Sequence, residues 1–239
     1  MFTGIVDGNR GDAAHAHLIG PGRGGLDAAF AAGILLAFWK ATEGLTYNDS
    51  TFAEAVTDSR AAGMLPGAYH FLRGAHPGEV EADHFLMRVE PLLSGGPLLL
   101  ACDWEAGDAP TDHARAFVAR VHDRTGRWPM LYSGLSFLWK RVGKGAEPVL
   151  GMCDLWLAAY GPDPVKIKVP PAWPRGWTLQ QYTNGGAGPK DVANYPRKTP
   201  GFGPGGGPGG VDRSCFRGTA DDLRAYHAAH AVSALLPSH

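Results

Sequence analysis

The sequence predicts an α/β fold: one irregular TIM-like (β/α)5(β)3 barrel in a single domain. Three observations lead there. Short apolar β-type runs alternate with helical patterns through the early chain, which implies a mainly parallel sheet. The later β-type runs follow one another without helical patterns between them. The 239 residues are 44% hydrophobic and only 19% charged, enough apolar material for one large core and too little charge for wholesale disorder.

Gly4-Ile5-Val6-Asp7 opens the chain as a strand. Residues 34–40 (ILLAFWK) form a second, apolar enough to be buried on both faces. Residues 49–62 read as a helix with a capping-type start and a stop at Gly63. Residues 67–71 form the third strand. A helix over 77–89 then carries Val80, Phe85, Leu86 and Val89 at helical spacing. The fourth strand spans 97–105. It is followed by a helix over 111–125 that carries Ala116, Phe117, Val118 and Val121, with Gly126 as its stop. Strands over 130–133, 155–160, 178–182 and 210–212 complete the set, and a closing helix covers 221–235.

The Gly/Pro-rich stretch at 199–210 is incompatible with a helix, and ordering it costs much backbone entropy. It reads as a surface loop inside one domain spanning 1–239, because the segment after it is too short for a separate domain. The formal net charge of −1 gives no support to nucleic-acid binding. Attraction to a charged partner must therefore be local or weak. Cys102, Cys153 and Cys215 fit neither a zinc ribbon nor a disulfide framework, so three reduced, mostly buried thiols are expected. The first residues lack the pattern of a signal peptide, and no apolar run is long enough for a membrane span.

In a parallel barrel the reactive side chains gather at the C-terminal ends of the strands. The first strand ends in Asp7, and the second in Lys40 with Glu43 shortly after. The third carries Tyr69 and His70, and the fourth ends in Asp103 and Glu105. Tyr132, Tyr160 and Asp212 close the later strands. Asp103-Trp104-Glu105 is the sharpest piece. Alternate residues of a strand share a face, roughly 6.5–7 Å apart at Cα, which sends both carboxylates into one cavity and turns Trp104 away to pack. Glycosidic cleavage needs such a pair, one carboxyl protonated and one ionised. Like charges and apolar surroundings push one of the two pKa values upward. The tyrosines Tyr69, Tyr132, Tyr160 and Tyr182 are candidates to stack on sugar faces, against ordinary packing as the plainer role. His15-Ala16-His17 offers a metal alternative, but later lysine and histidine ligands are missing from strand ends. His70 is expected to hydrogen-bond within the barrel rim.

These motifs, in this order, resemble glycoside hydrolase family 25, the Chalaropsis-type lysozymes. The similarity runs through Gly4-Ile5-Val6-Asp7, Phe38-Trp39-Lys40-Ala41-Thr42-Glu43-Gly44, Ala61 to Phe71, and Asp103-Trp104-Glu105. It continues through Thr125-Gly126-Arg127-Trp128-Pro129, Leu155 to Gly161, Gln181-Tyr182-Thr183 and Val211-Asp212. The resemblance implies a β-1,4-N-acetylmuramidase acting on peptidoglycan glycan strands, with no metal or organic cofactor. It implies Glu105 as general acid and Asp7, Asp103 and Asp212 as its carboxylate partners. Lys40, Glu43, Tyr69, Tyr132, Tyr160 and Gln181 make up the expected substrate-binding set. An enzyme nucleophile and assistance by the substrate's own N-acetyl group both remain open. The chain departs from the family at Asp7-Gly8-Asn9-Arg10-Gly11, at Gln180, where a tryptophan is usual, and in its Gly/Pro loop. A catalytically silent glycan-binding barrel and a metal-dependent amidohydrolase are the competing readings. The expected setting is a monomer made in the cytoplasm that reaches the cell wall by lysis, a pore or specialised export.

Overall fold

The computed structural model describes residues 3–8, 24–160, 167–184, 199–200 and 211–237. Its strands are β1 (Thr3–Gly8), β2 (Ile34–Glu43), β3 (Tyr47–Asn48), β4 (Leu65–Phe71), β5 (Leu99–Asp103), β6 (Met130–Gly134), β7 (Leu155–Ala158), β8 (Leu179–Thr183) and β9 (Asp212–Phe216). Its helices are α1 (Gly24–Ala31), α2 (Phe52–Ala61), α3 (Gly78–Val89), α4 (Thr111–Thr125), α5 (Leu135–Arg141) and α6 (Ala220–His230). The strands pair in the order β1-β9-β8-β7-β6-β5-β4-β2, and β1 pairs with β2 to close the barrel. The short β3 folds back on β2 as a hairpin outside the ring. Five strand–helix units followed by three strands give the expected (β/α)5(β)3 barrel.

Side-chain alternation divides the apolar residues into two cores. Ile5, Phe38, Leu99, Ala101, Met130, Trp156, Leu179 and Phe216 fill the barrel interior. Val6, Ala37, Trp39, Ala68, Leu100, Cys102 and Leu131 point outward and meet the helices through Phe52, Phe85, Leu86, Phe117 and Val121. Each fully buried large side chain contributes about 1.5–3 kcal/mol. Inside, Phe38 lies 4.6 Å from Trp156, and Tyr132 meets Trp156 edge-on at 5.0 Å. Gly67 makes this possible. A Cβ there would sit 2.9 Å from Cγ of the Phe38 ring and closer still to two other ring atoms. The three cysteines are free and buried.

Several expectations need correction. The last strand does not end at Asp212 but begins there, and it runs antiparallel to both neighbours. Its N-terminal end therefore lies at the rim where the parallel strands have their C-terminal ends. The fourth strand stops at Asp103, so Glu105 stands beyond it. Helix α2 begins at Phe52 rather than 49, because Asp49 caps a turn instead, accepting from the Thr51 amide and hydroxyl at 2.9 and 2.6 Å. In α3, Val80 is exposed, while Glu81 occupies the buried face beside Ala82 and Phe85. The closing helix ends at His230, and Val232 then pairs with Leu98 as an isolated bridge. Helices α1 and α5 were not anticipated, one being glycine-led and the other a short seven residues. Gly161, His15, His17 and residues 201–210 lie outside the described residues.

Candidate active site

Strand register builds the site. Asp7 on β1 pairs with Asp212 on β9, which sets two carboxylates side by side. Asp103 on β5 lies between Phe71 on β4 and Tyr132 on β6. Lys40 on β2 pairs with Tyr69 on β4, and Gln181 on β8 pairs with Ala158 on β7. The result is a pocket of about 210 Å³ at the C-terminal rim. Asp7, Asp103, Glu105 and Asp212 all line it, as do Lys40, Tyr69, Tyr132 and Gln181. Trp156 and Phe71 line it too. Sequence reasoning did not single them out for the site, although Phe71 shares its strand face with Tyr69 by the alternation already used.

The remaining candidates fall around this pocket. Glu43 sits beside it, paired with Lys40 and accepting from Arg73 Nε at 2.7 Å. Tyr160 is partly exposed and lines an adjoining cavity that also touches Glu105 and Phe137. Two residues turn away. Tyr182 packs into the outer core. His70, fully buried, faces the helices rather than the rim, stacked 5.0 Å from Phe117.

A hydrogen-bond network orients the carboxylates. Tyr132 and Tyr160 both donate their hydroxyls to Gln181 Oε1, at 2.9 and 2.8 Å. With its oxygen side so occupied, the Gln181 amide nitrogen faces the acids and donates to Asp7 at 3.0 Å and Asp212 at 3.4 Å. Neighbouring Gln180, where the family usually has tryptophan, points outward and donates to the Ala159 carbonyl at 2.8 Å. Beyond the strand end, Trp104 is fully buried and donates its indole N–H to the Ala109 carbonyl at 3.1 Å. Its own backbone stays in register through the Tyr132 carbonyl (2.9 Å) and the Ser133 hydroxyl (2.7 Å). Trp104 thus anchors the segment that presents Glu105, which is exposed at the mouth.

The electrostatics divide the acids. Burial, then the nearby Glu105 charge, pushes the Asp103 pKa well above the ordinary carboxylate range, and Lys40 only partly offsets this. Asp103 Oδ1 has no hydrogen-bond partner among the described residues. Glu105 is also raised, by desolvation against the protein wall, with Lys40 pulling the other way. Burial also pulls Glu43 upward, but its hydrogen bonds to Lys40 and Arg73 win and hold it low. The rim therefore holds carboxyls that favour a proton beside a carboxylate kept ionised. Among the described residues, no group of three or more His, Cys, Asp or Glu is placed to hold a metal ion.

A closed barrel whose C-terminal pocket combines clustered acids with aromatic walls has the groups that glycosidic cleavage requires. The chain belongs to glycosyl hydrolases family 25, whose model matches residues 23–190. It is 40% identical over 145 residues to an autolytic lysozyme of Clostridium acetobutylicum, covering 59% of this chain and 43% of that protein. It is 30% identical over 165 residues to lysozyme M1 of Streptomyces globisporus, covering 64% and 55%. It is 30% identical over 172 residues to an N,O-diacetylmuramidase of Chalaropsis sp., covering 64% and 77%. The chain thus spans about half the length of the first two relatives. Among solved structures, a bacterial lysozyme from Streptomyces coelicolor superposes with a TM-score of 0.72 at 25% identity, covering 96% of this chain and 98% of that one. A muramidase from Trichobolus zukalii has the same fold, with a TM-score of 0.72 at 24% identity over 95% and 99% of the two chains.

Proposed function

We propose that this protein is an N-acetylmuramidase, a lysozyme that hydrolyses the β-1,4 bond between N-acetylmuramic acid and N-acetylglucosamine in peptidoglycan. The observation that carries the reading is the one pocket that gathers four acids, Asp7 and Asp212 paired by strand register and Asp103 and Glu105 with pKa values raised by burial. Glu105, exposed at the mouth, is the general acid: its carboxyl O–H donates to the departing glycosidic oxygen. Asp7 and Asp212, aligned by Gln181, face the positive charge that develops at the anomeric carbon. Asp103, buried in the same pocket, shares the tendency to hold a proton with Glu105. Tyr69, Tyr132, Tyr160 and Lys40 bind the sugar, and Glu43 holds Lys40 in place. The names of the autolytic lysozyme and the N,O-diacetylmuramidase support the choice of bond.

The same reading takes the whole chain as one catalytic domain, acting at the cell wall as a monomer. No helix among the described residues is long and apolar enough to cross a membrane. The test is digestion of purified, N-acetylated peptidoglycan by the wild type and by Glu105→Gln, with mass spectrometry of the fragments. New reducing-end N-acetylmuramic acid, lost in the variant, is the expected result. A folded wild type that pulls down wall material yet releases no reducing ends would establish the silent binding barrel instead.

A further inference from the structure

The barrel carries a second concavity, at the opposite end from the acids. Its walls come from the segments that enter β6, β7 and β8 and from the end of antiparallel β9, which together form the N-terminal face of the barrel. Its volume of about 510 Å³ is more than twice that of the acidic pocket, at about 210 Å³. Residues at this face of a barrel ordinarily serve stability alone. Part of the lining does so here. Asp154 accepts from the Tyr226 hydroxyl at 2.8 Å and pairs with Arg175 at 3.6 Å, tying α6 to the barrel floor.

The rest of the lining is not explained by stapling. Arg127 and Arg217 join Arg175 around the cavity, three guanidinium groups against the single carboxylate of Asp154. Trp128, partly buried and braced by stacking on His122 at 4.2 Å, supplies an aromatic wall, and the largely buried Trp177 adds to the lining, with the Arg217 guanidinium 5.7 Å from its ring centroid. Arg217 is itself oriented by donating to the Arg175 carbonyl at 2.8 Å. Aromatic walls suit the apolar face of a sugar ring, and forked guanidinium groups suit a carboxylate. The charge pattern completes the argument. The chain is nearly neutral, and its catalytic pocket holds four acids against the one cation Lys40. That rim carries no excess of positive charge for an acidic glycan, whereas this groove concentrates it.

We propose that the groove at the N-terminal face is a second binding site for acidic sugars, which holds those muramyl residues of the wall polymer whose lactyl carboxylate carries no stem peptide while a separate stretch is cut at the acidic pocket. The muramyl identity of the occupant rests on the proposed muramidase function; the acidic-sugar chemistry rests on the groove alone.

The test uses the full chain with Glu105→Gln, so that no turnover occurs. The probe is the disaccharide N-acetylglucosaminyl-N-acetylmuramic acid, whose lactyl carboxylate is free, with N,N′-diacetylchitobiose as a neutral control of the same size. The indole N–H signals of Trp128 and Trp177 are followed by NMR. The acidic disaccharide is expected to move these signals, with chitobiose at least about tenfold weaker. Adding Arg127→Gln and Arg217→Gln, both exposed positions, is expected to weaken the acidic ligand about tenfold or more. The same two substitutions in the active chain leave cleavage of short soluble fragments unchanged and slow the digestion of intact sacculi. Binding at the groove also falls as salt rises, a readout that needs no variant. Indole signals that stay still, or that move equally for chitobiose or in the arginine variant, would overturn the site. The two proposals fail separately: without new reducing ends the muramidase reading falls while the indole shifts still report on the groove, and the converse holds equally.

Discussion

Glu81 is the residue whose loss should damage the protein most without touching the acidic pocket. It is fully buried on α3. Its carboxylate accepts from His70 Nε2 at 2.9 Å, from the Arg73 amide at 3.1 Å and from the Gly74 amide at 2.9 Å. The network fixes the histidine tautomer, since the Thr42 hydroxyl lies 2.8 Å from Nδ1 and donates to it while Nε2–H donates to Glu81. Glu81→Ala strands these three donors. At about 1–1.5 kcal/mol each, near the lower end for orphaned groups because the two amides are only part-buried, the loss is about 3–4.5 kcal/mol. The loop has little room to relax. Gly74 has φ +72°, and a Cβ there would lie 2.5 Å from the Ala109 backbone. This loop carries Arg73, which holds Glu43 and through it Lys40, so the catalytic rate should fall too.

The assay is urea unfolding at pH 7, where the expected loss is a large fraction of the usual 5–15 kcal/mol of native stability. Acid should narrow the gap. Burial raises the Glu81 pKa, but its three hydrogen bonds outweigh that and lower it below the ordinary 4.5. The stabilisation is therefore complete above pH 4.5 and disappears as pH falls through the lowered native value. A loss below about 1 kcal/mol at pH 7, or a gap that does not change between neutral and acid pH, would refute the reasoning.

Gly67→Ala should cost about 1–3 kcal/mol by forcing the Phe38 ring aside, and adding Phe38→Leu should recover part of it in a double-mutant unfolding cycle. Asp103→Asn should abolish glycan cleavage yet stabilise the fold by about 0.5–2 kcal/mol at neutral pH, read as a higher thermal midpoint. The sign follows from its raised native pKa: the wild type resists loss of that proton, so the variant's advantage grows as pH rises through the raised value and is absent below the ordinary 3.8. Lys40→Met should move the alkaline limb of the kcat/KM profile to higher pH, because Lys40 lowers the pKa of both Asp103 and Glu105. An unmoved or downward limb would contradict that electrostatic assignment.

The alternation of apolar strands and helices, the strand-end acids and the outward turn of Trp104 are all legible in the chain, because backbone geometry imposes periods of two and 3.6 on any strand or helix. The convergence of Asp7 and Asp103 follows from the same rule once a parallel barrel is inferred, whereas Glu105 stands past the strand end and is presented by the anchored Trp104 segment. Other features are not local. Asp212 reaches the rim from the start of β9 because barrel closure, not its neighbours in sequence, fixes the direction of the last strand. Alternation requires Tyr69 and His70 to face opposite ways, but only the packed helices show that His70 turns outward to Phe117 and Glu81. Glu79 and Glu81 share the first turn of α3, and only the contact with β4 and its loop buries Glu81 rather than Glu79. The groove at the N-terminal face is assembled from segments scattered between Gly126 and His230; Gly126-Arg127-Trp128 belongs to a family motif, but nothing in it tells which distant segments complete the groove. Short-range periodicity is a property of the backbone and can be read along one segment. Strand direction, the burial of a charge and the shape of a cavity depend on partners distant in sequence, and they exist only once the barrel has closed.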